Sequence, residues 1–244
     1  MIFLDFDGVL FDTVNEAYAI STVSKGLYDS INKINFESEH FIKFKKLRYL
    51  ISPAWNYKYL LDVLESQNSF KSMINTFLQN TSVAKKKDYY EFENNFFQTR
   101  KILMEKSYDH WLQLNKAYPF LNKIKFLFQK NIETIYIITT KDKASVSKLL
   151  LLEGIEFDKS KIFDKSDFAK FKSKRNIIES LIDNNSHNIF IDDSRDHLEK
   201  CNFIKYLKCI QPNWGYIAPS DNAFNMDNVI HEINKCIETN KCIN

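Results

Sequence analysis

Ile2-Phe3-Leu4 runs directly into Asp5-Phe6-Asp7-Gly8, and the next apolar run of strand character is Thr134-Ile135-Tyr136-Ile137-Ile138. A short apolar run closed by acids and glycine is expected of a buried strand whose C-terminal end carries function. Between the two runs the character is different. Ile42 to Leu50, Tyr57 to Leu64 and Phe92 to Met104 carry apolar residues at three- and four-residue spacing with polar residues between them. That is helical periodicity, with Pro53 and the Asn/Ser-rich stretches near 66–69 and 79–82 expected as loops.

After Pro119 the pattern alternates. Helices are expected over 120–129, 143–152, 174–182 and 225–236, and strands at Lys161-Ile162-Phe163, Asn188 to Ile191 and Tyr206 to Ile210. Gly154 closes the second of these helices. Strands alternating with helices of this length mean βαβ units and a parallel sheet. The N-terminal strand then joins that sheet, and the helical stretch is an insertion. The expected fold class is α/β, a doubly wound parallel sheet with an inserted helical cap: core 1–13 and 116–244, cap 14–115.

Composition narrows the function. Lys and Arg number 34 against 31 Asp and Glu, a near balance that argues against nucleic acid as the main partner. The basic run Lys85-Lys86-Lys87 is accounted for by a solvated face. Cys201, Cys209, Cys236 and Cys242 form no CxxC pair, so reduced thiols are expected, with a Cys236–Cys242 disulfide as the minor alternative. The N-terminus meets carboxylates at once, unlike a signal peptide, and no apolar run approaches the roughly 20 residues of a membrane span. A cytoplasmic location without membrane contact is the expectation.

Three apolar strands end in polar clusters: Asp5-Phe6-Asp7-Gly8, Thr139-Thr140-Lys141 and Asp192-Asp193-Ser194. Ligands of doubly wound sheets bind outside the carboxyl ends of the strands, so these clusters should converge. Carboxylates gathered without thiol or imidazole suit a hard cation with oxygen ligands, Mg2+.

Asp5-Phe6-Asp7-Gly8-Val9-Leu10-Phe11-Asp12-Thr13 resembles, through its whole length, the DxDG(T/V)L-x-D(S/T) motif of the haloacid dehalogenase-like hydrolases. The phosphoglycolate phosphatase and β-phosphoglucomutase branch, with its helical cap, is the most similar. Thr139 matches the family's strand-ending Thr or Ser, and Asp192-Asp193 its acidic pair, commonly Gly-Asp. Asn213-Trp214-Gly215-Tyr216 resembles its Gly-Tyr turn. The helix-opening Lys has three candidates; Lys174 is preferred, because Ile177, Ile178 and Leu181 follow at the spacing of a helix packed on a sheet, and Lys170 and Lys172 are the alternatives. The resemblance implies a Rossmann-like core, Asp5 as nucleophile and Asp7 as general acid/base. It also implies Mg2+ on Asp5, the carbonyl of Asp7 and Asp192 or Asp193, with Thr139, Thr140 and Lys174 on the phosphoryl oxygens. The reaction implied is hydrolysis of a small phosphorylated metabolite (a sugar, polyol or amino-alcohol monoester, with surface-polysaccharide synthesis as one setting) by a monomer or dimer. The cap would open and close on hinges near 13–15 and 113–118.

Plainer readings stand beside these. Asp192, Asp193 and Ser194 are also good helix caps, Asp196 suits the first turn of the helix that follows, and Asp12-Thr13 reads as a cap and hinge. Arg48, Trp55 and Lys58 surround Pro53 in a stretch that would reach substrate or simply pack; Arg48 is the candidate retained for substrate. None of the five histidines is expected to pair with an acid, and His197 is placed on the helix after the acidic pair. The rival functions are a phosphomutase with the same intermediate, a silent binding or regulatory protein, and a dehalogenase, which does not require the second Asp.

Overall fold

The computed structural model describes residues 1–66, 69–131, 134–182, 186–219 and 221–241. Two compact units emerge, Met1–Asp12 with Lys116–Asn244, and Thr13–Asn115. The chain starts with β1 (Ile2–Leu4) and β2 (Phe11–Asp12). The helical unit follows: α1 (Val14–Ser24), α2 (Glu39–Leu47), α3 (Asn56–Leu64), α4 (Phe70–Val83), α5 (Lys86–Lys106) and α6 (Tyr108–Gln113). The chain then returns through β3 (Lys116–Ala117), α7 (Pro119–Asn131), β4 (Ile135–Ile138), α8 (Lys143–Leu152) and β5 (Ile162–Phe163). It ends with α9 (Phe168–Phe171), α10 (Lys174–Leu181), β6 (Asn188–Ile191), α11 (Arg195–Cys201), β7 (Leu207–Ile210) and α12 (Met226–Lys241).

Among the described residues the main sheet has five strands in the order β5-β4-β1-β6-β7, paired in parallel. The first strand of the chain is therefore the central one. Its residues are apolar on both faces, as a parallel strand covered on both sides requires. On one side Phe3, Ile138, Ile177, Ile178, Phe190, Leu198 and Cys201 form a buried cluster that seats α10 and α11 on the sheet. Register aligns the strand ends: Leu4 lies opposite Ile137 on one side and Ile191 on the other. The next residues of β1 and β6, Asp5 and Asp192, consequently leave the sheet side by side. Strand order changes direction on either side of β1, and the crevice at such a point is where open α/β sheets bind ligands.

Within the helical unit aromatic rings fill the interior, with Tyr57 stacked between Phe44 at 5.6 Å and Phe96 at 5.5 Å. One acid lies among them. Glu16 of α1 is fully buried and accepts hydrogen bonds from Arg100 Nε at 3.0 Å and Trp111 Nε1 at 2.7 Å. A carboxylate in such a place persists only when paired and hydrogen-bonded.

Three elements differ from the sequence expectation. Residues 79–82 continue α4 instead of forming a loop, because Thr81 donates to Phe77 O and Ser82 to Gln79 O, bonds that let hydroxyl residues sit inside a helix. Helix α12 runs on past Cys236. The antiparallel pair β2–β3, Phe11 opposite Ala117, is too short to leave an alternating pattern. Gln67 and Asn68 of the other expected loop lie outside the described residues. Cys201, Cys209 and Cys236 are free thiols, while Cys242 lies outside the described residues. Burial pushes Cys201 up to about 11 and Cys209 up to about 12, which keeps both protonated. Among the described residues no helix is long and apolar enough to cross a membrane.

Candidate active site

The loop after β1 is built by its own backbone. Leu10 N and Phe11 N donate to Phe6 O, Gly8 N donates to Phe11 O, and the rings of Phe6 and Phe11 stack at 4.8 Å. Asp5 N donates to Ile191 O, which ties the first acid to the end of β6. Gly8 has φ +85°, and a Cβ there would stand 2.0 Å from Asp193 Oδ2. Gly215 approaches from the other side, where a Cβ would lie 2.5 Å from Asp193 Cβ. The two glycines thus make room for the Asp193 carboxylate, which accepts Tyr216 N at 2.7 Å. The turn is pinned to the first loop as well: Trp214 Nε1 donates to Val9 O at 3.1 Å and the Tyr216 hydroxyl to Asp12 at 2.8 Å.

Asp5, Asp192 and Asp193 offer carboxylate oxygens within 4.8 Å of one another, all on buried residues. Lys174, the first residue of α10, reaches into this cluster. Its ammonium lies 2.9 Å from Asp5 Oδ1 and 2.8 Å from Asp192 Oδ2, with the lysine side chain only 3% exposed. Ser173 caps the helix by accepting Asn176 N, which aims position 174 inward. Lys170 and Lys172 are exposed. Of the three lysines, Lys174 is the one in the cluster.

Asp192 is crowded with donors. Besides Lys174, it accepts Ser194 N at 2.8 Å on Oδ1, and His197 Nδ1 lies 3.0 Å from Oδ2. The His197 contact corrects the expectation that no histidine meets an acid: the first turn of α11 folds back over the end of β6 and carries the ring to Asp192. Burial pushes the Asp5 carboxyl up to about 6, with Lys174 working against that rise and Asp192 adding to it. For Asp192 burial also acts upward, but Lys174 and His197 outweigh it and hold the group below the usual carboxylate range. Two buried acids in one pocket thus differ in proton affinity.

Thr139 is buried at the end of β4, its N–H on Phe163 O and its hydroxyl accepting Lys141 N at 3.1 Å. Thr140 beside it is half-buried. Lys141, read from sequence only as part of a strand-end cluster, is buried with its Nζ 3.3 Å from Asp7 Oδ1. Asp196 sits in the first turn of α11, paired with Lys200 at 2.5 Å. In the helical unit Arg48 lies over the Tyr57 ring at 5.3 Å and donates to Ile51 O at 3.3 Å. There Trp55 stacks on Tyr89 at 4.2 Å, and Lys58 lies over Tyr59.

No family model and no curated protein sequence matches the chain. Solved structures do. A protein described as a predicted phosphatase from Clostridium acetobutylicum superposes with a TM-score of 0.59 at 15% identity, over 96% of this chain and 97% of that one. A haloacid dehalogenase-like hydrolase from Streptococcus pneumoniae gives 0.53 at 15% identity, covering 95% and 97%. The chain has the haloacid dehalogenase-like fold. A third structure with this fold, described as a predicted phosphoglycolate phosphatase from Haemophilus somnus, gives 0.55 at 13% identity over 96% and 97%. Identities this low show a shared fold. The five-stranded parallel sheet of this chain is the α/β fold class that the sequence led one to expect.

Proposed function

We propose that the protein is a Mg2+-dependent phosphatase that hydrolyses a small phosphomonoester through an aspartyl-phosphate on Asp5. One observation supports this most: three carboxylates, Asp5, Asp192 and Asp193, gather around a buried Lys174 that pairs with the first two, and the donors they offer are all oxygen. An all-oxygen donor set of this kind fits a hard cation and lacks the thiol and imidazole ligands that softer metals prefer. Asp5, Asp193 and the Asp7 carbonyl would hold the ion. Asp193 accepts Tyr216 N but is favoured over Asp192, whose carboxylate meets Lys174, Ser194 N and His197 together. When bound, Mg2+ supplies neutralising charge between the phosphate dianion and the acids around it.

The chain's own groups then divide the work. An Asp5 carboxylate oxygen forms a bond to phosphorus as the ester P–O bond breaks, splitting one hard displacement into two easier ones. Asp7 gives its proton to the leaving oxygen, then takes a proton from the water whose oxygen bonds to phosphorus as the Asp5 O–P bond breaks, freeing Asp5 and inorganic phosphate. Lys174 and Thr139 hold the transferring oxygens, since positioning and charge stabilisation account for most of phosphoryl-transfer catalysis. The substrate class is a sugar, polyol or amino-alcohol phosphate, and the setting is cytoplasmic.

The test is release of inorganic phosphate from a panel of such monoesters with and without Mg2+. Metal-dependent release that is lost in Asp5→Asn supports the reading. Isomerised product without phosphate would make the protein a mutase, and no turnover of any ester by folded protein contradicts both.

A further inference from the structure

Among the described residues two buried lysines reach the acids of the first loop, one of them shared with Asp192. Lys174 serves Asp5. Lys141 serves Asp7, its side chain 1% exposed and its Nζ 3.3 Å from Asp7 Oδ1. Burying an ammonium is costly unless a partner compensates it, and a methylene stem alone would not need the charge there. The position is fixed by the strand end: Lys141 N donates to the Thr139 hydroxyl, and the next residue, Asp142, caps α8 by accepting Ser145 N at 2.9 Å. Backbone on both sides of Lys141 is therefore anchored, and its side chain is directed at Asp7 rather than solvent.

We infer that Lys141 is a positioning residue for the proton-transfer half of the reaction, holding the Asp7 carboxylate in place once Asp7 has given up its proton. This role rests on the aspartyl-phosphate reading above. In the first step the Asp5–phosphorus bond forms, the ester P–O bond breaks and the Asp7 proton moves to the leaving oxygen, which leaves Asp7 as a carboxylate beside the Lys141 ammonium. That ion pair is stronger after proton transfer than before it. Interactions that strengthen along the reaction are the ones that raise its rate. In the second step the water oxygen bonds to phosphorus as the Asp5 O–P bond breaks, freeing the Asp5 carboxylate and inorganic phosphate, and the Asp7 carboxylate, held in one rotamer, accepts that water's proton.

The consequence is a dependence on the leaving group. An ester whose leaving oxygen needs a proton relies on Asp7, and hence on Lys141. In the first step an ester whose leaving group departs as a stable anion does not, although hydrolysis of its aspartyl-phosphate uses Asp7 all the same. Phenyl phosphate, with a leaving phenol of pKa near 10 as in tyrosine, and para-nitrophenyl phosphate, with a far more acidic phenol, differ little in size and so separate the two cases.

The experiment measures kcat/KM, which reports the first step and leaving-group departure, for both esters in wild type, Lys141→Met and Lys141→Arg, with Mg2+ present. Lys141→Met is expected to lower kcat/KM for phenyl phosphate by about 10²-fold, the lower end of a general-acid effect. The loss of kcat/KM on para-nitrophenyl phosphate is expected to be several-fold or less, because that ester calls on Asp7 only in the second step. Lys141→Arg keeps a cation and is expected to recover the phenyl phosphate rate more than the nitrophenyl rate. Equal losses on both esters, or no selective recovery by arginine, overturn the role of Lys141 while leaving the phosphatase reading intact. Wild-type protein that releases phosphate from neither aryl ester nor from any of the sugar, polyol and amino-alcohol monoesters overturns that reading and this role together.

Discussion

Lys174 and Asp5 form an ion pair of 2.9 Å between a side chain that is 3% exposed and one that is 11% exposed. The lysine also holds Asp192, so one buried cation balances two buried acids. Lys174→Met removes that balance and leaves both carboxylates without it. Breaking a buried pair in this way costs about 3–5 kcal/mol. Urea unfolding of the metal-free protein at neutral pH should show a loss of this order, and an unchanged midpoint would contradict the pairing.

The raised proton affinity of Asp5 has a definite sign. The unfolded group titrates near 3.8 and the folded one at about 6. The folded state binds the proton more tightly, so Asp5 contributes progressively less to stability as pH rises from about 4 to 6, and nothing more is lost above that. Asp5→Asn cannot ionise and escapes the loss. Without metal, its stability relative to wild type should rise between pH 4 and pH 7 by on the order of 2–3 kcal/mol. Asp192, held low by Lys174 and His197, has the opposite sign and is present in both proteins. Unfolding curves at the two pH values check the difference, and a variant that gains nothing would show that Asp5 is not strained by burial.

Mg2+ should stabilise the folded protein. At a hundredfold excess over Kd the gain is about 2.7 kcal/mol, or a Tm rise of roughly 5–10 °C for a chain of this size. Asp193→Asn should abolish most of the rise. Asp196→Asn, at an exposed pair with Lys200, should leave it intact. Thermal melts with and without Mg2+ test this.

Gly8 admits no side chain. Its φ of +85° and the 2.0 Å between a built Cβ and Asp193 Oδ2 make Gly8→Ala a displacement of the Asp193 carboxylate. Strain at such a position costs on the order of 1–3 kcal/mol. The variant should melt lower and respond weakly to Mg2+, and a normal melt with a normal metal response would contradict the packing of Asp193 between Gly8 and Gly215.

Much of this arrangement was legible in the chain. The acids after Ile2-Phe3-Leu4 and after Asn188 to Ile191 end apolar strands, and parallel register brings strand ends together, so Asp5 and Asp192 could be paired before any coordinates. Lys174 was separable from Lys170 and Lys172 by the apolar spacing that follows it. Contacts made by side chains from unrelated positions left no such trace. His197 meets Asp192 only because α11 starts where it does, and the Glu16–Arg100–Trp111 cluster joins three helices whose sequences show ordinary amphipathic spacing. Lys141 was read only as a member of the strand-end cluster Thr139-Thr140-Lys141, because its pairing with Asp7 depends on the path from β4 into α8.

The central claim is that Asp5 carries the phosphoryl group. Protein mixed with a turned-over phosphomonoester and Mg2+, quenched in acid and digested, should yield an Asp5-containing peptide bearing one added phosphoryl group that hydroxylamine removes. Asp5→Asn should yield none. Phosphate release by wild type with that peptide never modified, or a modification that persists in Asp5→Asn, would contradict the account.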